Sequence, residues 1–143
     1  MDWAKSAGDD IFILNGDTFF NIDLSKLADT GRNSGSLLTL ALKEMTDFSR
    51  YGNVRTEQQR ITGFEEKRVC TKGCINGGVY YVMKEVLHYL PGCERFSFET
   101  DFLEKAVNDI RIGYRIFSDY FIDIGVPEDY LTAQTDLPLI YEE

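Results

Sequence analysis

Histidine is nearly absent from this chain. His88 is the only one, no acid stands at a motif spacing beside it, and it reads as a structural residue. Cysteine is scarce and odd in number, at Cys70, Cys74 and Cys93. A structural zinc site needs four ligands. Cys70 and Cys74 bracket only three residues and His88 lies well away in sequence, so the cysteines read as ordinary buried thiols. An odd set of thiols with no signal peptide ahead of it predicts a reduced, cytoplasmic compartment. No apolar run approaches the roughly 20 residues that cross a bilayer, which predicts no membrane partner. Basic charge is also in deficit: 15 Lys and Arg face 24 Asp and Glu, a net charge of −9. Nucleic-acid grooves cluster Lys and Arg, so a nucleic-acid partner is excluded. A small anionic ligand is not, because one lysine and one metal ion bind it locally. Internal repeats and low-complexity linkers are missing as well.

What the chain does have is material for a core. With 143 residues, 43% of them hydrophobic and 13% aromatic, it reads as one folded domain over residues 1–143. Residues 11–15 read as a fully buried strand of a parallel sheet, built on the unbroken apolar run Ile11, Phe12, Ile13 and Leu14. Asp23 then stands where an N-cap belongs, ahead of a helix from Leu24 to about Arg32 with Leu24, Leu27 and Ala28 on one face. Gly31 and Gly35 close it. Residues 36–43, SLLTLALK, read as a second buried strand. Strand, helix and strand in that order make a βαβ unit, the signature of an α/β fold.

The middle of the chain differs. YGNV (51–54) and RITGF (60–64) read as two short strands around the polar turn TEQQ, a hairpin. GCINGGVYYV (73–82) is a strand entered through a glycine pair, followed by a short helix MKEVLHYL. FETDFLEKAV places Phe98, Phe102, Leu103, Ala106 and Val107 on one helical face. Strands near 113–117 and 120–123 precede a last helix opened by Pro127, Glu128 and Asp129, residues that favour a helix start. The opening MDWAKSAGDD reads as the end of a helix running into the first strand.

Four places carry chemistry. Asp17, in ILNGDTFF, ends a strand where open α/β sheets place ligands, and Asp123, in YFIDIG, ends another. Two carboxylates meeting there could hold Mg²⁺, which takes one or two carboxylates and completes its shell with water and phosphate. Each could equally cap its own turn. Lys67, closing FEEK, is either a solvated charge or a phosphate ligand, with Glu66 beside it to accept hydroxyl hydrogen bonds. Gly77 and Gly78, after Asn76, mark either a bulge or the close approach of a ligand. Glu99 either caps its helix or bonds a ligand hydroxyl.

Taken in order, ILNGDTFFNIDL, YGNV with ITGFEEK, CINGGVYYV, FSFETDFLEKAV and YFIDIGVPEDY resemble the blocks of the sugar-1-phosphate nucleotidyltransferase family. Their wording is similar to bacterial heptose-1-phosphate and mannose-1-phosphate guanylyltransferases. The resemblance implies a Rossmann-like mixed, mainly parallel sheet flanked by helices, with the hairpin inserted. It also implies a reaction: a sugar 1-phosphate oxygen attacks the α-phosphorus of a nucleoside triphosphate and releases pyrophosphate. Carried over by position, Asp17 and Asp123 hold Mg²⁺, and Lys67 grips the sugar phosphate. Glu66, Glu99 and the backbone at Gly78 position sugar hydroxyls, with Asn15, Gly16, Asn76 and Gly77 also in substrate contact.

The family opens with a glycine-rich loop bearing Arg and Lys, and no such loop precedes Asp17. The expectation is therefore the C-terminal part of such a domain, without its first strands and nucleotide loop, weakly active or inactive alone. An exposed sheet edge would then favour a homo-oligomer. A second reading is a non-catalytic sugar-phosphate-binding or regulatory module of the same fold. A third, a metal-dependent glycosyltransferase, is disfavoured by the Glu-Lys hairpin and the FIDIGVPEDY block.

Overall fold

Residues 8–142 are described by the computed structural model; the helix end read in MDWAKSAGDD falls largely on residues 1–7, outside them. Four strands form the central sheet in the order β1 (Asp10–Leu14), β6 (Cys70–Met83), β3 (Leu38–Phe48), β7 (Ile112–Phe117). β6 is antiparallel to both β1 and β3, and β3 is parallel to β7. Hence β1, β3 and β7 share one direction and β6 alone opposes them: the sheet is mixed and mainly parallel, as the resemblance implies. The expected βαβ unit is present, β1 to helix α1 (Leu24–Ser34) to β3, with β6 inserted between its two strands.

Helix α1 starts and stops as its residues dictate. Asp23 accepts from the amide of Ser25 at 2.9 Å, and Gly35 takes the left-handed conformation, φ 66°, that ends the helix. Gly31 does not close the helix; it lies buried within it, packed so near the Tyr81 ring and Thr39 that a Cβ would collide.

Three buried clusters form, the smallest made of Phe48, Cys70 and Ile75, and the larger two lie one on each face of the sheet. On one face Leu27 and Ala28 of α1 pack with Ala41, Val79, Tyr81 and Phe20. On the other, Leu38, Leu40, Leu42, Tyr80, Val82 and Ile112 meet Val54, Ile61, Val86, Phe102, Leu103 and Ala106. The alternation along β6 sends Tyr80 to one face and Tyr81 to the other. Phe102, Leu103 and Ala106 come from the FETDFLEKAV segment. That segment winds as a π-helical stretch, Phe98–Leu103, running into a short helix α2, Glu104–Ala106. The segment after β6 is likewise not α-helical but a 3₁₀ turn, Lys84–Tyr89.

The expectation of a fully buried first strand is corrected. Among the described strands β1 pairs only with β6, so it is an edge, and its outward side chains Phe12 and Leu14 are 37% and 58% exposed. An unbroken apolar run reads as buried on both faces; here only Ile11 and Ile13 reach the core.

Outside the sheet, β4 (Gly52–Glu57) and β5 (Arg60–Lys67) form the expected hairpin, turning through Gln58 and Gln59, both at positive φ. β2 (Thr18–Phe20) and β8 (Phe121–Asp123) pair antiparallel in a ladder of their own. Helix α3 (Pro127–Tyr141) follows, with Pro127 in its first turn. Among the described residues no helix is long and apolar enough to cross a membrane. Leu103 is fully buried between the helical segment and the sheet, so Leu103→Ala is expected to lower the unfolding free energy by about 2–5 kcal/mol in urea denaturation. The same truncation at Val69, 83% exposed, should stay within about 0.5 kcal/mol.

Candidate functional site

β1 ends at Leu14 and the chain turns through Asn15, Gly16 and Asp17 into β2. The amide of Asn15 donates to the Gly78 carbonyl at 2.8 Å, which pins the turn to β6. β2 then pairs with β8 so that Thr18 faces Asp123, and the amide of Ile124 donates to the Asp17 carbonyl at 2.8 Å. Aspartates 106 positions apart in the numbering 17 and 123 thus become neighbours. A Cβ built on Gly125 would stand 2.9 Å from Asp123 Oδ1 and 3.9 Å from Asp17 Oδ2, so both carboxylates reach the same turn. Asp123 Oδ1 also accepts from the Gly125 amide at 2.8 Å, a turn cap, while Oδ2 stands 4.0 Å from Arg50 Nη2.

A cavity of about 630 Å³ opens beside this pair, within the size range of small-molecule sites. Asn15, Asp17, Glu66, Lys67, Asn76, Glu99 and Asp123 all line it. Gly16 lines an adjoining shallower depression that shares Asn15, Asp17 and Glu99. Lys67 closes β5 opposite Gly52 at the open end of the hairpin, and among the described residues no carboxylate lies within ion-pair distance of it. Glu99 does not cap its helix. Ser97 does, accepting from the Thr100 amide at 3.2 Å while Asp101 accepts from the Ser97 amide at 2.7 Å. Glu99 instead faces the cavity, where Oε1 accepts from Asn15 Nδ2 at 3.2 Å and from the Tyr80 hydroxyl at 3.5 Å. Asn76 Nδ2 in turn donates to the Tyr80 hydroxyl at 2.9 Å. Burial first, and the Glu99 charge second, push the Tyr80 phenol well above its ordinary range, so it stays a neutral donor to Glu99.

Gly77 and Gly78 are brought near the site but serve packing. The β3–β6 register slips here, with Leu40 opposite Tyr80 and Leu42 opposite Asn76, which is the bulge reading of the glycine pair. Gly77 lies against the Phe20 ring and the Ala41 carbonyl; Gly78, at φ 74°, lies against Thr18 and Asn15. The Gly78 amide donates to Asn76 Oδ1 at 2.9 Å and its carbonyl accepts from Asn15, so its backbone groups are engaged within the protein.

Arg50 and Tyr51 are among the cavity residues that escaped the sequence reading. Both stand just before the hairpin, where Arg-Tyr has no distinguishing local pattern. Burial, and then the Asp123 charge, raise the Tyr51 phenol. Glu65, beside Glu66, is held below the usual carboxylate range, chiefly by Asn53 Nδ2 donating to it at 2.8 Å. The three cysteines are free thiols, with Cys70 buried and Cys93 exposed.

The wall is strongly acidic. Asp17, Glu65, Glu66, Glu99, Glu104 and Asp123 face only Arg50 and Lys67 among the lining residues. An anionic phosphate would be repelled by such a wall without a cation of its own. Asp17 and Asp123 offer hard oxygen donors, with no thiol, imidazole or third acid grouped with them among the described residues. That is the small protein share that Mg²⁺ takes, leaving positions for water and phosphate. The residues present fit the ion.

The Nucleotidyl transferase family pattern matches residues 2–138. A D-glycero-α-D-manno-heptose 1-phosphate guanylyltransferase of Campylobacter jejuni is 47% identical over 88% of this chain and 55% of its own length. A protein of the same description from Aneurinibacillus thermoaerophilus is 45% identical, over 94% of this chain and 59% of its own. The crystal structure of HddC from Yersinia pseudotuberculosis complexed with GMP-PN superposes with a TM-score of 0.78 at 31% identity, covering 91% of this chain and 56% of that one. The chain therefore spans a little over half the length of the curated relatives it matches. Gly78→Ala would force a side chain into left-handed backbone and to within 2.6 Å of Thr18 Oγ1. It is expected to cost about 1–3 kcal/mol in urea denaturation and to loosen Asn15 from Glu99.

Proposed function

The chain belongs to the nucleotidyl transferase family, and on that premise we propose that it forms the sugar-phosphate and metal part of a sugar-1-phosphate guanylyltransferase. The reaction is attack of a sugar 1-phosphate oxygen on the α-phosphorus of GTP, breaking the α–β phosphoanhydride bond and releasing pyrophosphate. A heptose or hexose of manno configuration is the acceptor, as in the heptose and mannose members. The observation that carries this reading is the approach of Asp17 and Asp123 to the same turn at Gly125, on a cavity that both line together with Lys67, Glu66 and Glu99.

Phosphoryl-type transfer asks a protein chiefly for positioning and charge stabilisation. Asp17 and Asp123 would hold Mg²⁺, which when bound neutralises phosphate oxygens that carboxylates alone would repel. Lys67 binds the phosphate of the sugar 1-phosphate as a point charge. Glu66 and Glu99 accept hydrogen bonds from sugar hydroxyls, and Tyr80 with Asn15 fixes the direction of the Glu99 carboxylate. Asn15 and Gly16 stand at the turn between the sugar end and the metal end. Asn76 supports Tyr80 from behind.

A non-catalytic module would need the sugar-phosphate residues but not the converged aspartates, so their geometry favours the enzyme. Three free thiols fit a reducing cytoplasm. The outer edge of β1, with Phe12 and Leu14 exposed, is where we place self-association of the chain.

Pyrophosphate release tests the reading. The protein carrying this chain, given Mg²⁺ and manno-heptose or mannose 1-phosphate, is expected to turn over GTP in preference to ATP, CTP, UTP and dTTP. Lys67→Ala should lose at least about tenfold in kcat/KM, the scale of one charged phosphate contact. No turnover with any nucleotide and sugar phosphate would remove the proposal. Light scattering on the chain is expected to show a dimer that builds with concentration, and a monomer at high concentration would rule out pairing through β1.

A further inference from the structure

Arg50 has a setting that the Lys67 and aspartate roles do not explain. Its Nη1 donates to Asp129 Oδ2 at 2.5 Å, while Nη2 stands 4.0 Å from Asp123 Oδ2. The guanidinium lies over the Tyr51 ring, 5.3 Å from its centroid. Asp129 is in the first turn of α3 and does not line the cavity, so it holds Arg50 from behind. Two residues on, Gly52 pairs with Lys67 across the hairpin. Arg50 and Lys67 therefore flank the open end of the β4–β5 hairpin and are the two cations on an otherwise acidic wall.

A purely structural account is weak. The Arg50 side chain is 45% exposed, and ion pairs that exposed add little stability. A guanidinium carries five N–H donors in a planar fork suited to phosphate, and Asp129 engages one nitrogen. The ring beneath and the carboxylate behind it fix the side chain in advance, which reduces the entropy lost on binding.

We propose that Arg50 is a second ligand of the sugar phosphate, gripping it together with Lys67 while Asp129 and Tyr51 hold the guanidinium in place. This rests on the proposed sugar-phosphate site. It predicts that Arg50 discriminates for the phosphate group and not for the sugar ring.

Calorimetry with Mg²⁺ present, using mannose 1-phosphate, free mannose and GTP as separate ligands, tests it on the wild type, Arg50→Gln, Arg50→Lys and Asp129→Asn. Arg50→Gln is expected to weaken mannose 1-phosphate by about tenfold or more and to leave free mannose unchanged. Arg50→Lys should recover part of the loss, because the charge returns without the fork, and Asp129→Asn should show a smaller loss in the same direction. Thermal melts accompany each variant, so that a folding defect is read separately. Unchanged mannose 1-phosphate affinity in a folded Arg50→Gln protein overturns the inference while the sugar-phosphate site stands. A loss confined to GTP overturns it too, by moving Arg50 to the nucleotide. A folded wild-type protein that binds no sugar phosphate defeats both the site and this role.

Discussion

The pairing of β2 with β8 is the interaction on which the site depends. It is short, with Thr18, Phe19 and Phe20 opposite Asp123, Ile122 and Phe121, yet it joins two distant parts of the sequence. Backbone hydrogen bonds set the register, and the Phe20 ring fixes the ladder to the sheet through an edge contact with Phe117 of β7, while meeting Phe121 edge-on across the ladder. A slip of one residue would turn every side chain of the strand to the other face and separate Asp17 from Asp123. The apolar half of the ladder therefore places its carboxylates.

Everything else in the cavity is arranged around that junction by different means. The β4–β5 hairpin brings Lys67 and Glu66 to the cavity. The π-helical stretch turns Glu99 inward while Ser97 and Asp101 satisfy the helix start in its place. Asn15 ties the two sides together, with its backbone on Gly78 and its side chain on Glu99. The acidic lining, with Arg50 and Lys67 as its two cations, is the setting in which the proposed divalent ion would supply counter-charge to a phosphate.

Much of this was legible in the residues. Asp23 and Gly35 announced both ends of α1, because capping chemistry is local. The apolar string at 36–43 announced β3 as a buried strand, GCINGGVYYV announced a strand in β6, and the acids following Pro127 announced α3. Asp17 and Asp123 stood out because each interrupts an apolar run at a strand end. Less legible was anything decided by distant partners. β1 read as buried on both faces, yet its position at the edge follows from which strand lies beside it, and periodicity carries no such information. The glycine pair at Gly77 and Gly78 allowed both bulge and ligand approach; the slip in the β3–β6 register and the packing on Phe20 and Asn15 depend on partners far away in sequence. Arg50 gave no signal at all, since its meaning comes from Asp129 and Tyr51 beneath it.

The central claim is that Asp17 and Asp123 jointly hold a divalent cation. Binding of Mn²⁺, in place of Mg²⁺, followed by electron paramagnetic resonance of the free ion, tests it most directly because it needs no substrate. The account predicts one site in the wild-type chain, weakened at least about tenfold by either Asp17→Asn or Asp123→Asn, since each removes one of two charged ligands. Equal Mn²⁺ binding by the wild type and both folded variants would contradict it.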